Sequence, residues 1–262
     1  MLLREYLPDL GRFFFRWRSY TPLLLIPLFW FERNCFYYPD GLHSCDLAYE
    51  FACFAVAASG LGIRIKTVGH VAKGTSGRNT IRQEAVRLNT TGMYSIVRNP
   101  LYLGNYLILL GTTLMAQSWE LVVINSFFFG LAYLPVIMCE EEFLLGRFGA
   151  VYRAYAASTP CFIPRFSLWR PPDMPFNAQM VLYREHDTWM STVAAFIFLE
   201  HLRDYVIIGH LSFDYFWDTL GALVLLLWCV LKALKYTGFL TERQQPGASA
   251  NQSGRFYPEL PR

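Results

Sequence analysis

The chain has 262 residues with a net charge of +3; 54% are hydrophobic, 17% aromatic and only 16% charged, and the mean hydropathy is +0.25. A soluble domain of this size carries about a quarter charged residues, so the deficit points to lipid as the solvent. The mild positive balance gives no ground for a nucleic-acid partner, and where the charges lie matters more than their sum.

The first segment, 1–19, mixes Arg4, Arg12, Arg16 and Arg18 with Phe13, Phe14, Phe15 and Trp17. That is the make-up of an amphipathic helix in the headgroup layer, serving either as an anchor or to recruit anionic lipid. It lacks a short apolar core followed by a small-residue cleavage site, so no cleaved leader is expected. Apolar stretches follow at 20–31, 47–65, 101–116, 121–139, 189–199 and 216–234. Flanking aromatics such as Trp30, Tyr37, Tyr38 and Trp119 suit the membrane–water interface. The expected fold is therefore all-α and polytopic, with about six transmembrane helices, or five if the first stretch is re-entrant. The membrane domain runs over 20–240, and a Gln-, Gly-, Ser- and Pro-rich tail over 241–262 reads as disordered. The six cysteines show no metal-ligand spacing, and no metal is expected. Cys35 and Cys45 flank the outer loop 36–44, either as a disulfide in an oxidising compartment or as two separate thiols. No internal repeat marks the chain as a transporter.

The basic residues test this topology independently. With both termini inside, the cytoplasmic stretches hold 21 of the 23 Lys and Arg, leaving out only Arg33 and Arg203. Cytoplasmic loops carry just such an excess of positive charge. The loop after the second stretch, 66–99, has six Lys or Arg against the single acid Glu84. Long polar connections inside compact membrane proteins are more often functional than idle.

Three clusters carry the chemistry. In Arg98-Asn99-Pro100-Leu101-Tyr102-Leu103-Gly104-Asn105-Tyr106, Pro100 fits a first helical turn and Asn99 an N-cap. The helix start, with Arg98 beside it, suits an anion. Asn99, Tyr102 and Tyr106 fall on one face, whereas Gly104 and Gly111 form a stripe that admits a ligand or a helix. The same pattern also fits a well-capped membrane helix with a glycine seam. In Glu140-Glu141-Glu142-Phe143-Leu144-Leu145-Gly146-Arg147-Phe148-Gly149, three carboxylates end an apolar span, where ionisable groups are costly. They suit a metal, ammonium or sulfonium cation, or else a solvated charge run. The helix should run on, because Leu144, Leu145, Phe148, Val151, Tyr152 and Tyr155 continue an apolar stripe. The third cluster, Thr159-Pro160-Cys161-Phe162-Ile163-Pro164-Arg165-Phe166, reads only as a turn that stops the preceding helix.

The order R-N-P-L-Y-L-G, then E-E-x-x-L-x-x-x-F-G-x-x-Y-x-x-Y, then F-I-P-R-F resembles the isoprenylcysteine carboxyl methyltransferase and phospholipid methyltransferase superfamily. The likeness covers about residues 75–166, and the family's usual His is here Asn99. The stretch T-S-G-R-N-T and L-N-T-T-G-M-Y-S-I-V-R-N-P-L-Y-L-G is more specifically similar to bacterial lipid A 1-phosphate methyltransferases. The resemblance implies a membrane-embedded methyltransferase using S-adenosylmethionine, acting on a lipid in the bacterial inner (cytoplasmic) membrane. Catalytic roles fall to Arg98, Glu141 and Arg147. Cofactor contacts fall to Tyr94, Asn99, Pro100, Tyr102, Gly104 and Tyr106 on one side and to Glu140, Glu141 and Tyr152 on the other. Arg78, Asn79 and Arg165 are expected to bind the substrate. Arginines clamp phosphate or carboxylate, which favours O-methylation of an acidic lipid. Carboxyl methylation of an isoprenylcysteine, N-methylation of an aminophospholipid and a small membrane binding or scaffold protein stay open, as do the oligomeric state and a lid over 167–188.

The charge distribution generates a direct test of topology. A reporter fused after Arg262 should be active on the cytoplasmic side, and activity only in the periplasm would contradict the assignment.

Overall fold

The proline-free, Ala-, Leu- and Phe-rich stretch after His43 forms one uninterrupted helix, α1 (His43–Gly69). The computed structural model describes residues 43–72 and 85–241. There follow α2 (Met93–Ile96), α3 (Pro100–Leu114), α4 (Trp119–Phe148), α5 (Ala150–Ser158), a 3-10 turn (Phe166–Leu168), α6 (Ala178–Ile208) and α7 (Tyr215–Tyr236). No strand occurs among the described residues, in keeping with the all-α expectation. The interfacial segment 1–19, the first apolar stretch, the tail, the pairing of Cys35 with Cys45, and Arg78 and Asn79 lie outside them.

Local chemistry sets the helix ends. Pro100 opens α3 in its first turn, where its missing N–H costs nothing. Ser118 caps α4 by accepting a hydrogen bond from the Leu121 amide. Gly149, at φ 55°, breaks the chain between α4 and α5, a conformation that suits glycine. The helix does run on past the three glutamates, as expected, but ends at Phe148 rather than continuing as one stripe. Only Tyr152 and Tyr155 of that stripe are buried, while Leu145 and Val151 are exposed.

Three helices are long and apolar enough to cross a membrane: α1 from Leu47 to Gly69, α4 and α7. Their exposed large side chains, such as Phe127, Leu131 and Leu134 on α4 and Leu223 and Leu226 on α7, suit lipid contact. The expected third and fifth spans differ. With 15 residues, α3 is about 22 Å long at 1.5 Å per residue, short of the hydrocarbon core at about 30 Å. The 31 residues of α6 are long enough, but Arg184, Glu185, His186 and Asp187 stand near one end and Glu200, His201, Arg203 and Asp204 near the other.

Packing between α1 and α3 is set by small residues. A β-carbon on Gly60 would lie 2.5 Å from the Gly104 carbonyl oxygen, and one on Gly111 would lie 2.6 Å from the backbone of Cys53 and Ala57. Small residues let helix backbones approach this closely where no hydrophobic force drives them together. The close approach expected at Gly104 is thus made to a helix: Gly60 and the Arg64 methylenes fill it.

Two buried ionic clusters tie the bundle. Arg64 on α1 donates Nε to Glu185 Oε2 at 2.7 Å and Nη2 to Oε1 at 2.9 Å, and its Nη1 reaches Asn105 Oδ1 of α3. At the other end Arg203 of α6 pairs with both Glu50 and Glu200, and Trp217 Nε1 of α7 donates to Glu50 at 2.6 Å. Buried charges persist only when paired and hydrogen-bonded. Arg203, one of two exceptions to the charge distribution, is therefore a buried helix tie and not a loop residue.

Gly111→Ala should cost about 1–3 kcal/mol by overpacking the α1–α3 seam. Gly130→Ala, with open space around it, should leave thermal unfolding in detergent unchanged or slightly raised. Equal melting of the two variants would contradict the seam.

Candidate functional site

Four elements converge at the start of α3, and an arginine is the reason. Arg98, just before the helix, donates Nε to Glu141 Oε1 at 2.9 Å and Nη2 to Oε2 at 3.3 Å. This two-pronged geometry matches a planar guanidinium to a carboxylate. The same guanidinium donates Nη1 to the carbonyls of Ala156 and Thr159 at 2.6 and 2.9 Å. Those are carbonyls at the C-terminal end of α5, where a cation is favoured by the unpaired acceptors and the helix dipole. One side chain thus joins α3, α4 and α5. Burial works against its charge, but the neighbouring Glu141 carboxylate outweighs that and raises the Arg98 pKa above its ordinary value.

The residues after α5 form the fourth wall. The Arg98 amide donates to the Pro160 carbonyl at 2.9 Å, and the Arg165 amide to the Ile96 carbonyl at 2.9 Å, so 96–98 and 160–165 run side by side. Asn99 occupies the N-cap position as expected, but its side chain makes no capping hydrogen bond. Its Nδ2 donates instead to the Cys161 carbonyl at 3.2 Å. The side chain is thus turned across the site, and its Oδ1 does not accept from the amides of the first turn that a cap serves.

One turn on, Tyr102 donates its hydroxyl to Glu140 Oε1 at 2.8 Å, and Tyr106 meets Ser126 Oγ at 3.1 Å. Asn99, Tyr102 and Tyr106 therefore do share the face that meets α4 and the 160–162 segment. Around them lies an aromatic cluster: Phe129 stacks on Tyr133 with centroids 4.2 Å apart, Tyr102 is 5.3 Å from Tyr133, and Phe162 is 5.8 Å from Tyr106. Tyr152 is buried beneath the pair, and burial followed by the Glu141 charge pushes its phenol above the ordinary range. The thiol of Cys161 lies 3.7 Å from Glu141 Oε1; burial and then the Glu141 charge raise its pKa. Arg98 against Glu140 and Glu141 leaves carboxylate in excess beside aromatic faces, a setting that attracts a cation.

The other expected site residues stand further off. The Tyr94 ring packs with Val68, Val71, Met180 and Val181 on the opposite side, although its carbonyl accepts from Tyr155 Oη at 2.7 Å. Arg147 is exposed, with its guanidinium 6.0 Å above the Phe148 ring. Arg165 contributes backbone, and its side chain faces outward. Sequence reasoning missed Cys161, Phe162, Phe129 and Tyr133. The spacing of four between Phe129 and Tyr133, which repeats that of Tyr102 and Tyr106, was the available signal.

Residues 52–151 match the phospholipid methyltransferase family. The chain is 38% identical to a nickel-cobalt-cadmium resistance protein of Alcaligenes xylosoxydans xylosoxydans, over 42% of this chain and 50% of that one. It is 35% identical to a cobalt-zinc-cadmium resistance protein of Cupriavidus metallidurans, over 52% and 55%. A protein-S-isoprenylcysteine O-methyltransferase of Schizosaccharomyces pombe is 27% identical over 50% of this chain and 56% of its own. The chain spans about half the length of these curated relatives. No solved structure matches. The family match and the yeast relative support the methyltransferase superfamily.

Glu141→Gln removes the carboxylate that disfavours the Cys161 thiolate. In a variant whose other cysteines are replaced, the pH midpoint for Cys161 alkylation should therefore fall, with faster labelling at fixed pH. An unchanged pH–rate profile would separate the thiol from this site.

Proposed function

We propose that the chain is an S-adenosylmethionine-dependent membrane methyltransferase that O-methylates an acidic group of a lipid, with the 1-phosphate of lipid A as its preferred acceptor. The observation that carries the reading is the convergence of Arg98, Glu141, Tyr102 and Glu140, drawn from α3, the residue just before it and α4, all inside the matched residues 52–151. The donor set fits the cofactor by its chemistry. Glu140 and the faces of Tyr106, Phe129 and Phe162 suit a positive sulfur, and the Asn99 amide suits its polar groups. Bound there, S-adenosylmethionine supplies a methyl group already activated by its sulfonium.

The chain's own residues have the task of orientation, an effect worth several kcal/mol. Arg98 is saturated by Glu141 and two carbonyls, so it positions the walls of the site and holds Glu141 in place. Tyr102 fixes Glu140 in the same way. A phosphate or carboxylate acceptor is already anionic at neutral pH and needs no general base, whereas an amine must first lose a proton. Arg78, Asn79 and Arg165 are proposed to hold the acceptor, since the guanidinium fork matches phosphate. The membrane is the source of the substrate, with both termini cytoplasmic.

The metal-resistance names of two relatives admit a reading that agrees with this one. Methylating a phosphate monoester removes an ionisable oxygen, which lowers the affinity of the envelope for divalent cations. In that reading resistance would act through lipid charge. Carboxyl methylation of an isoprenylcysteine remains the alternative for the same site.

Purified protein incubated with labelled S-adenosylmethionine should methylate lipid A that bears its 1-phosphate and spare lipid A without it. Equal labelling of both would exclude the 1-phosphate as the acceptor. Arg78→Ala should raise the lipid KM while leaving cofactor binding intact, and Arg78→Lys should rescue it only in part.

A further inference from the structure

The chain between α5 and α6 is held like a strap, yet it turns large apolar side chains outward. Its bonds are many. The Gly92 amide donates to the Arg170 carbonyl at 3.0 Å, and the Asn177 amide to the Gly69 carbonyl at 2.8 Å. The Arg170 amide donates to Ser95 Oγ at 2.9 Å, and Asp173 is held by both Arg87 and Thr91. Phe176 lies against Gly69, the last residue of α1, where a β-carbon would meet its ring. A segment fixed at this many points does not expose apolar groups through looseness.

Ile163 is 80% exposed, Phe166 76% and Trp169 49%. Phe166 and Trp169 are separated by one 3-10 turn, closed by the Trp169 amide on the Phe166 carbonyl at 3.1 Å. Side chains three apart eclipse in that geometry, so they share an edge. Ile163 lies three residues before Phe166, ahead of the turn and joined to it through the extended Arg165. Arg165, between Ile163 and Phe166, and Arg170, just after Trp169, are both exposed. The strap crosses the end of α1, the level at which the candidate span Leu47–Gly69 finishes. Aromatic side chains with arginine at the end of a span are the composition of the membrane–water interface, and Arg there is attracted to anionic lipid.

We propose that the strap 163–176 lies in the headgroup layer of an anionic leaflet, with Ile163, Phe166 and Trp169 inserted at the acyl boundary and Arg165 and Arg170 on lipid phosphates. Because Cys161 and Phe162, just before it, line the candidate site, the strap is also the lipid-facing sill of that site. The membrane attachment does not depend on the proposed activity.

The full chain in vesicles provides the test, comparing wild type with Trp169→Phe to isolate the emission of Trp169. With phosphatidylglycerol vesicles brominated at the acyl carbons nearest the headgroup, the Trp169 share should be quenched, and aqueous iodide should not quench it. Quenching by iodide and not by bromine would place the strap in water. Quenching by neither would mean that protein covers it, such as residues 1–42, and either result overturns the proposal. In spin-labelled lipid association, Arg165→Gln with Arg170→Gln should lower the preference for phosphatidylglycerol over phosphatidylcholine by up to about five-fold for each arginine. An unchanged preference would remove the arginines from the lipid contact.

Discussion

The Arg98–Glu141 pair is the interaction on which the site depends. Its partners are 43 residues apart, one just before α3 and the other on α4, so the contact exists only when the start of α3 and the far part of α4 are side by side. Arg98 then uses its remaining donor on the carbonyls at the end of α5, which brings α5 and the following 160–162 segment over the same point. Once these walls are fixed, Tyr102 and Glu140 are one turn and one residue away from their neighbours in the pair, and their hydrogen bond follows from the register. A charge-assisted bond of this kind contributes about 1.5–3 kcal/mol, more than a neutral contact in the same place.

The lipid solvent explains why such pairs recur. A charge within a membrane-spanning region is tolerated when it has a partner, and Arg64 and Glu50 on the candidate span α1 both have one. Arg64 joins α1, α3 and α6 through Asn105 and Glu185; Arg203 joins α1, α6 and α7 through Glu50, Glu200 and the Trp217 bond. Apolar side chains give little drive for helix association in lipid, so these ties and the Gly60–Gly104–Gly111 seam hold α1 against its neighbours. The site at Arg98 is built by the same means, with the difference that its second carboxylate, Glu140, is held by the Tyr102 hydroxyl and not by the guanidinium.

Much of this was legible in the residues. Asn99-Pro100 marked the helix start, the spacing of Tyr102 and Tyr106 marked the face that meets α4, and the apolar stripe correctly carried the helix past Glu140–Glu142. Other readings failed for physical reasons. Asn99 was expected to cap its helix, but its side chain turns to donate to the Cys161 carbonyl on the facing segment. Gly104 was read as admitting a ligand or a helix, and α1 took the place. Arg147 shares a helix with Glu141, but six positions further on it has left the site. The buried clusters left only faint signs: Glu50 inside an apolar stretch, and Arg203 on the wrong side of the charge distribution. Both are explained by a partner distant in sequence, which no local pattern contains.

A double-mutant cycle on Arg98→Gln and Glu141→Gln, read by the binding affinity for S-adenosylmethionine, tests the central claim most directly. If the pair builds the site as one unit, the two losses should fall short of additivity by about 0.5–3 kcal/mol, since either change alone already releases the walls. Losses that simply add, in variants that remain folded, would show that Arg98 and Glu141 act separately and would contradict the account.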